Sequence, residues 1–244
     1  MINRFFINRI FGIKQNFYKK QIMKNENLYN EIMRFKKNDI SKHVSWITIF
    51  QLYDYILRNK PKRILELGSG LSTVIILVAI KDVKNIDQKY SPSFVSMENN
   101  KKYFINTKKK IPSNYRNKVK LILSKVIKDN FLLFSGYRYL KIPKMKYDFI
   151  FVDGPNYKDQ DGMSCSFDII YILKNFTNSF ECIIEKRIST AYVMQKLLGK
   201  KAVKLSFTDR TSFLKVNSND LKTNLDSRVF KKSFFNNIYF TGYY

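Results

Sequence analysis

Residues Arg63-Ile64-Leu65-Glu66-Leu67 run directly into Gly68-Ser69-Gly70, and then into Leu71 to Val83, an apolar stretch with no glycine or proline. A short buried strand, a tight turn and a buried helix in direct succession restrict a chain to folds in which helices wrap a parallel sheet. The remainder keeps that alternation. Val44 to Leu57 has helical spacing and breaks at Asn59-Lys60-Pro61-Lys62. Phe94-Val95-Ser96-Met97 and Val119-Lys120-Leu121-Ile122-Leu123 read as strands, with a helix over Lys101 to Lys110 between them. Tyr147-Asp148-Phe149-Ile150-Phe151-Val152 is a fourth strand and ends at Asp153-Gly154-Pro155. A helix over Phe167 to Phe176, a strand over Glu181 to Ile184 and a helix over Thr190 to Leu198 follow. Ala202 to Phe207 and Ser212 to Val216 flank Thr208-Asp209-Arg210-Thr211 as in an antiparallel hairpin. The expected fold class is α/β: a mostly parallel sheet with helices on both faces and an antiparallel strand pair at the C-terminal end.

The 244 residues are 45% hydrophobic and 16% aromatic, which excludes a wholly disordered chain. The expected organisation is a basic amphipathic N-terminal arm over 1–40 and one domain over 41–244. Cys165 and Cys182 are too few for a disulfide framework, and a single histidine, His43, argues against a zinc site. No apolar run approaches the ~20 residues of a membrane span, so a cytoplasmic protein is expected, with a peripheral membrane site as the second option. Lysine and arginine number 45 against 19 acidic residues, a formal net charge of +26. Such an excess attracts something anionic, whether nucleic acid, membrane surface or acidic glycan, or it is a solvated lysine-rich surface. The stretch from Met1 to Lys24 has no acidic residue, and Phe6, Ile10, Ile13 and Phe17 fall along one helix face. Two readings stay open: that face packs on the body of the protein, or it lies on anionic lipid.

In a parallel sheet of this kind, ligands bind beyond the carboxyl ends of the strands, where the strand order reverses. The loop Glu66-Leu67-Gly68-Ser69-Gly70-Leu71-Ser72-Thr73 is placed to do this. Gly68 and Gly70 let the backbone turn and come close to a ligand, or serve the turn alone. A dinucleotide fingerprint needs Gly or Ala where Thr73 stands, and Glu66 would repel a pyrophosphate while favouring an ammonium group, directly or through the loop.

Glu66-x-Gly68-x-Gly70 after a strand resembles the first motif of class I S-adenosylmethionine-dependent methyltransferases, whose fold is Rossmann-like. With Ser72-Thr73 and the later Val152-Asp153-Gly154-Pro155, the pattern is similar to bacterial polysaccharide-locus methyltransferases and plant xylan O-methyltransferases. Gly162-Met163-Ser164 is similar to a Gly-Arg-Met-Ser stretch of the plant group, without its Arg. The likeness covers roughly residues 40–217. It implies S-adenosylmethionine as cofactor, with the loop of Glu66, Gly68, Ser69, Gly70, Ser72 and Thr73 around its amino-acid end. It also implies Glu98 and Asn99 at the ribose, Ser124 beside the adenine, and a glycan or small hydroxylated molecule as acceptor. Glu98 could otherwise be a solvated charge at a strand end. Asp153 is a candidate catalytic base, a metal ligand shared with Glu185, or a cap of the Gly-Pro turn. His43 is the second candidate base. Lys186 and Arg187 could hold an anionic acceptor. No metal is expected. An RNA or DNA methyltransferase using the basic surface, or a non-catalytic module of the same fold, are the alternatives.

Overall fold

Burial of the central strands on both faces sets the architecture, because such strands need a helical layer on each side. The computed structural model describes residues 4–37, 39–40, 44–155 and 165–224; His43 and Gly162-Met163-Ser164 lie outside them. Helices α1 (Arg4–Met23), α2 (Glu26–Lys36) and α3 (Trp46–Asn59) precede β1 (Arg63–Leu67), α4 (Leu71–Ile86), β2 (Ser93–Glu98), α5 (Lys101–Lys110) and β3 (Lys120–Leu123). A hairpin of β4 (Val126–Phe131) and β5 (Phe134–Tyr139) comes before β6 (Phe149–Val152), the short β7 (Cys165–Ser166) and α6 (Asp168–Asn175). The chain then forms β8 (Ser179–Glu185), α7 (Ile188–Leu198), β9 (Val203–Ser206) and β10 (Thr211–Asn217).

Among the described residues, seven strands form the main sheet in the order β3-β2-β1-β6-β8-β10-β9. The first five are parallel, and β10 runs antiparallel to both β8 and β9, as the hairpin pattern predicts. Strand order reverses between β1 and β6, which pair directly with Leu67 opposite Val152. Period-two alternation sends Leu65, Leu67, Ile150, Val152 and Ile184 to one face, where α6 and α7 cover them. Ile64, Phe149, Phe151 and Ile183 go to the other face, against α2, α3 and α4. Full burial of each such side chain contributes roughly 1.5–3 kcal/mol.

Sequence reading leaves residues 124–146 without an element, and the structure places the β4–β5 hairpin there. With β7 it makes a separate three-stranded sheet. Asp168, fully buried, fastens it by accepting from the Tyr139 N–H (2.8 Å) and the Ser166 hydroxyl (2.8 Å).

The described residues of the first 40 hold two helices. Ile22, Leu28, Ile32 and Phe35 share one core with Ile49, Leu52 and α4. Asn25 caps α2 through the Leu28 N–H (3.0 Å). Helix α1 meets the body through Ile7, Phe11, Gln15, Tyr18 and Ile22, while the Phe6-Ile13-Phe17 stripe points away from it. Among the described residues, no helix is long and apolar enough to cross a membrane.

Candidate active site

The loop after β1 is built on two kinds of close approach. Gly68 has φ +97°, a region that favours glycine, and a Cβ there would stand 2.6 Å from the Gly154 nitrogen. Gly154 is equally tight, since its Cβ would lie 2.5 Å from the Gly68 Cα. The two turns at the point of strand reversal are thus pressed backbone to backbone. Gly70 differs: its backbone is extended, and nothing lies within 4 Å of the place a Cβ would occupy.

Beneath the loop sits Glu66, fully buried on the α4 side of the sheet. Its Oε2 accepts from the Ser96 hydroxyl (2.5 Å), opposite it on β2, and from the Thr73 hydroxyl (2.6 Å). The Thr73 Oγ1 in turn accepts from the Gly70 N–H (3.1 Å). A hydroxyl relay therefore ties the loop to the carboxylate. Loss of water pushes the Glu66 pKa up to about 7, against the pull of the surrounding hydroxyls.

Strand register then lines up the carboxyl edge. Gly68 N donates to Met97 O, Asp153 N to Leu67 O and Ser124 N to Glu98 O (2.9, 2.8 and 2.9 Å). Ser124, Glu98, Gly68, Asp153 and Glu185 consequently end adjacent strands in one row. The nearly buried Glu98 carboxylate takes the Asn99 and Asn100 N–H groups at 2.9 and 2.8 Å, and the Ser69 N–H and hydroxyl at 3.1 and 3.3 Å. Burial raises its pKa, and those N–H donors hold the rise back. Asp153 is half-buried at the centre of the row. Its pKa is raised by lost hydration and then by the negative charge of Glu185, while Arg187 and Lys186 oppose the rise. Glu185, buried, accepts from the Ser45 N–H that begins α3 (3.1 Å) and pairs with Lys186 (2.9 Å).

No protein-family model matches the sequence, and no curated relative does. Solved structures do match. One, described as a caffeoyl-CoA O-methyltransferase from Staphylococcus aureus, is 15% identical with a TM-score of 0.50, over 84% of this chain and 100% of that one. The fold is the Rossmann-like methyltransferase fold. Two further matches are TomG, an O-methyltransferase from Streptomyces achromogenes in complex with SAM, and a methyltransferase from Geobacter sulfurreducens. The first is 12% identical over 77% of this chain and 88% of that one, with a TM-score of 0.49. The second is 11% identical over 81% and 86%, with a TM-score of 0.45.

Within that fold the structure brings Gly68, Ser69, Gly70, Glu98, Asn99, Ser124 and Asp153 to one edge. Glu66, Ser72 and Thr73 lie buried under the loop, where Thr73 accepts from the Gly70 N–H and Glu66 holds Thr73. His43 falls outside the described residues. Arg187, expected to grip an anionic acceptor, turns its guanidinium onto the carbonyls of Asp153 and Pro155 (2.7 Å to the latter) and braces the β6 turn. Among the described residues, no three His, Cys, Asp or Glu side chains gather as metal ligands. Sequence reasoning missed Ser96 and the steric part of Gly154. The β1–β2 register alone puts Ser96 beside Glu66, and a strand-end glycine where the strand order reverses is the only sign of the second.

Proposed function

We propose that this chain is an S-adenosylmethionine-dependent methyltransferase that acts on a hydroxyl of a glycan or of a small hydroxylated acceptor. One observation carries the reading: a chain of net charge +26 gathers Glu98, Asp153 and Glu185 at a single edge, around a glycine loop with Glu66 buried beneath it. A pyrophosphate would be repelled there, whereas a ligand bearing an ammonium and a sulfonium group would be attracted. The residues fit such a cofactor. Gly70 leaves open space on the loop, and the two long Ser69 contacts on Glu98 are ones that ribose hydroxyls could replace. The glycan acceptor is supported by the likeness of Val152-Asp153-Gly154-Pro155 to polysaccharide-locus and xylan enzymes.

When bound, the cofactor supplies an already activated methyl group. The chain then has three tasks. Glu98 accepts the ribose hydroxyls, and the Gly68–Gly70 backbone supports the amino-acid end. Asp153, at the point of strand reversal, takes the proton of the acceptor hydroxyl onto a carboxylate oxygen. Its raised pKa makes it a stronger base than an ordinary aspartate. Arg187 holds the turn that carries it.

Incubation with methyl-labelled cofactor and separated lipid-linked glycan, small-molecule and RNA fractions tests the assignment. Label should enter a glycan or small hydroxylated acceptor. Label confined to RNA would instead favour the reading suggested by the basic surface. Asp153→Asn should lower kcat by about 10²-fold or more, a larger loss than any in cofactor affinity. In the parent, kcat should rise with pH along a limb displaced above the ordinary aspartate range, and the variant should lack that limb.

A further inference from the structure

Helix α1 uses its body-facing side fully. Its Gln15 carbonyl accepts from the Trp46 N–H (2.8 Å), Tyr18 packs on Phe50, and Lys14 pairs with Asp209 (2.6 Å). Arg210 lies over the Phe11 ring and donates to Asn8 (2.8 Å). The opposite side carries large apolar groups: Phe5 is 73% exposed, Phe6 58%, Ile13 62% and Phe17 54%. Arg9, Lys20 and Lys24 stand exposed among them, and no acidic residue precedes Glu26. Large exposed apolar groups interleaved with cations on one helix face mark an interaction surface.

We propose that this face of α1 docks the protein on an anionic lipid bilayer. Aromatic side chains interleaved with cations of one sign suit the boundary between headgroups and acyl chains. A second copy of this chain would bring another +26 against the same cations. A nucleic acid would use the cations but give Phe5, Phe6, Ile13 and Phe17 nothing to enter. The anchoring contacts also say where the bilayer lies. Asp209 and Arg210 form the turn before β10, whose Thr211 pairs with Glu185, and Trp46 follows Ser45, which bonds Glu185. Helix α1 is therefore fastened to the rim of the carboxylate-lined edge, and docking holds that rim one helix diameter, about 10 Å, from the lipid surface.

Binding is read without cofactor, so it stands or falls separately from methyl transfer. The full chain is sedimented with vesicles of mixed phosphatidylglycerol and phosphatidylcholine, and with vesicles of phosphatidylcholine alone. It should partition onto the anionic vesicles at least about tenfold more strongly, and less so as salt rises. The triple variant Phe6→Ser, Ile13→Ser, Phe17→Ser should lose about tenfold or more, as should Arg9→Gln, Lys20→Gln, Lys24→Gln. Circular dichroism and thermal melting check that both keep the parent fold. Equal binding to both vesicles, no binding, or an apolar variant that binds like the parent would overturn the proposal. A vesicle-free dimer that the apolar variant abolishes would do the same, by assigning the face to a second copy.

Discussion

Gly68 and Gly70 occupy similar places in the sequence and opposite places in the structure. An alanine at Gly68 would drive a methyl group into Gly154 and strain a backbone at φ +97°. Gly68→Ala should therefore cost about 3 kcal/mol or more, seen as a lower urea midpoint. At Gly70 the backbone is extended and the space is open, so Gly70→Ala should change stability by no more than about 0.5 kcal/mol. Its effect should fall on cofactor affinity, lowered at least tenfold if the loop cradles that ligand. Glu66 offers a titration. Its pKa is near 4.5 unfolded and about 7 folded, so its contribution to stability is fully present below pH 4.5 and is lost as pH rises to about 7. The total is about 3 kcal/mol on the linkage relation. Denaturation of Glu66→Gln across that window should lack this loss, and parallel curves for parent and variant would contradict the assignment. The motif itself was legible in the sequence. What separated its members was not, because a partner such as Gly154 becomes adjacent only once β1 and β6 pair.

Central strands were readable because two-sided burial writes itself as unbroken apolar runs such as Phe149-Ile150-Phe151-Val152. The β4–β5 hairpin was not. It turns through Leu132-Leu133, where Leu132 holds a left-handed φ of 54°, in place of the Asn-Gly or Asp-Gly that marks such a turn. Its alternation is blurred too, since β4 is only partly buried along its length. Leu132→Asn relieves the left-handed strain at an exposed site and should raise stability by about 0.5–1 kcal/mol, read from the melting temperature. A lower melting temperature would mean that the Leu132 side chain contributes more by packing than the turn loses by strain. Helix α1 teaches a related lesson. Of the Phe6, Ile10, Ile13 and Phe17 face read from periodicity, Phe6, Ile13 and Phe17 are exposed and Ile10 is half-buried, and the body contacts are made by the neighbouring face.

Charge across the whole molecule is divided by depth. Cations cover the surface, while three of the 19 carboxylates gather at the edge where the strand order reverses and a fourth, Glu66, is buried beneath it. Composition alone gave the net value of +26 and pointed outward, to anionic partners. The inward cluster follows from register, which places Glu98, Gly68, Asp153 and Glu185 on adjacent strand ends. Calorimetric titration of the purified chain with S-adenosylmethionine tests that arrangement most directly, using the parent and Glu98→Ala side by side. Saturable binding to the parent at about one cofactor per chain is expected, with a loss of tenfold or more in affinity for the variant, the scale for removing a charged hydrogen-bond acceptor. No binding to the parent, or equal affinity for the two proteins, would contradict that arrangement.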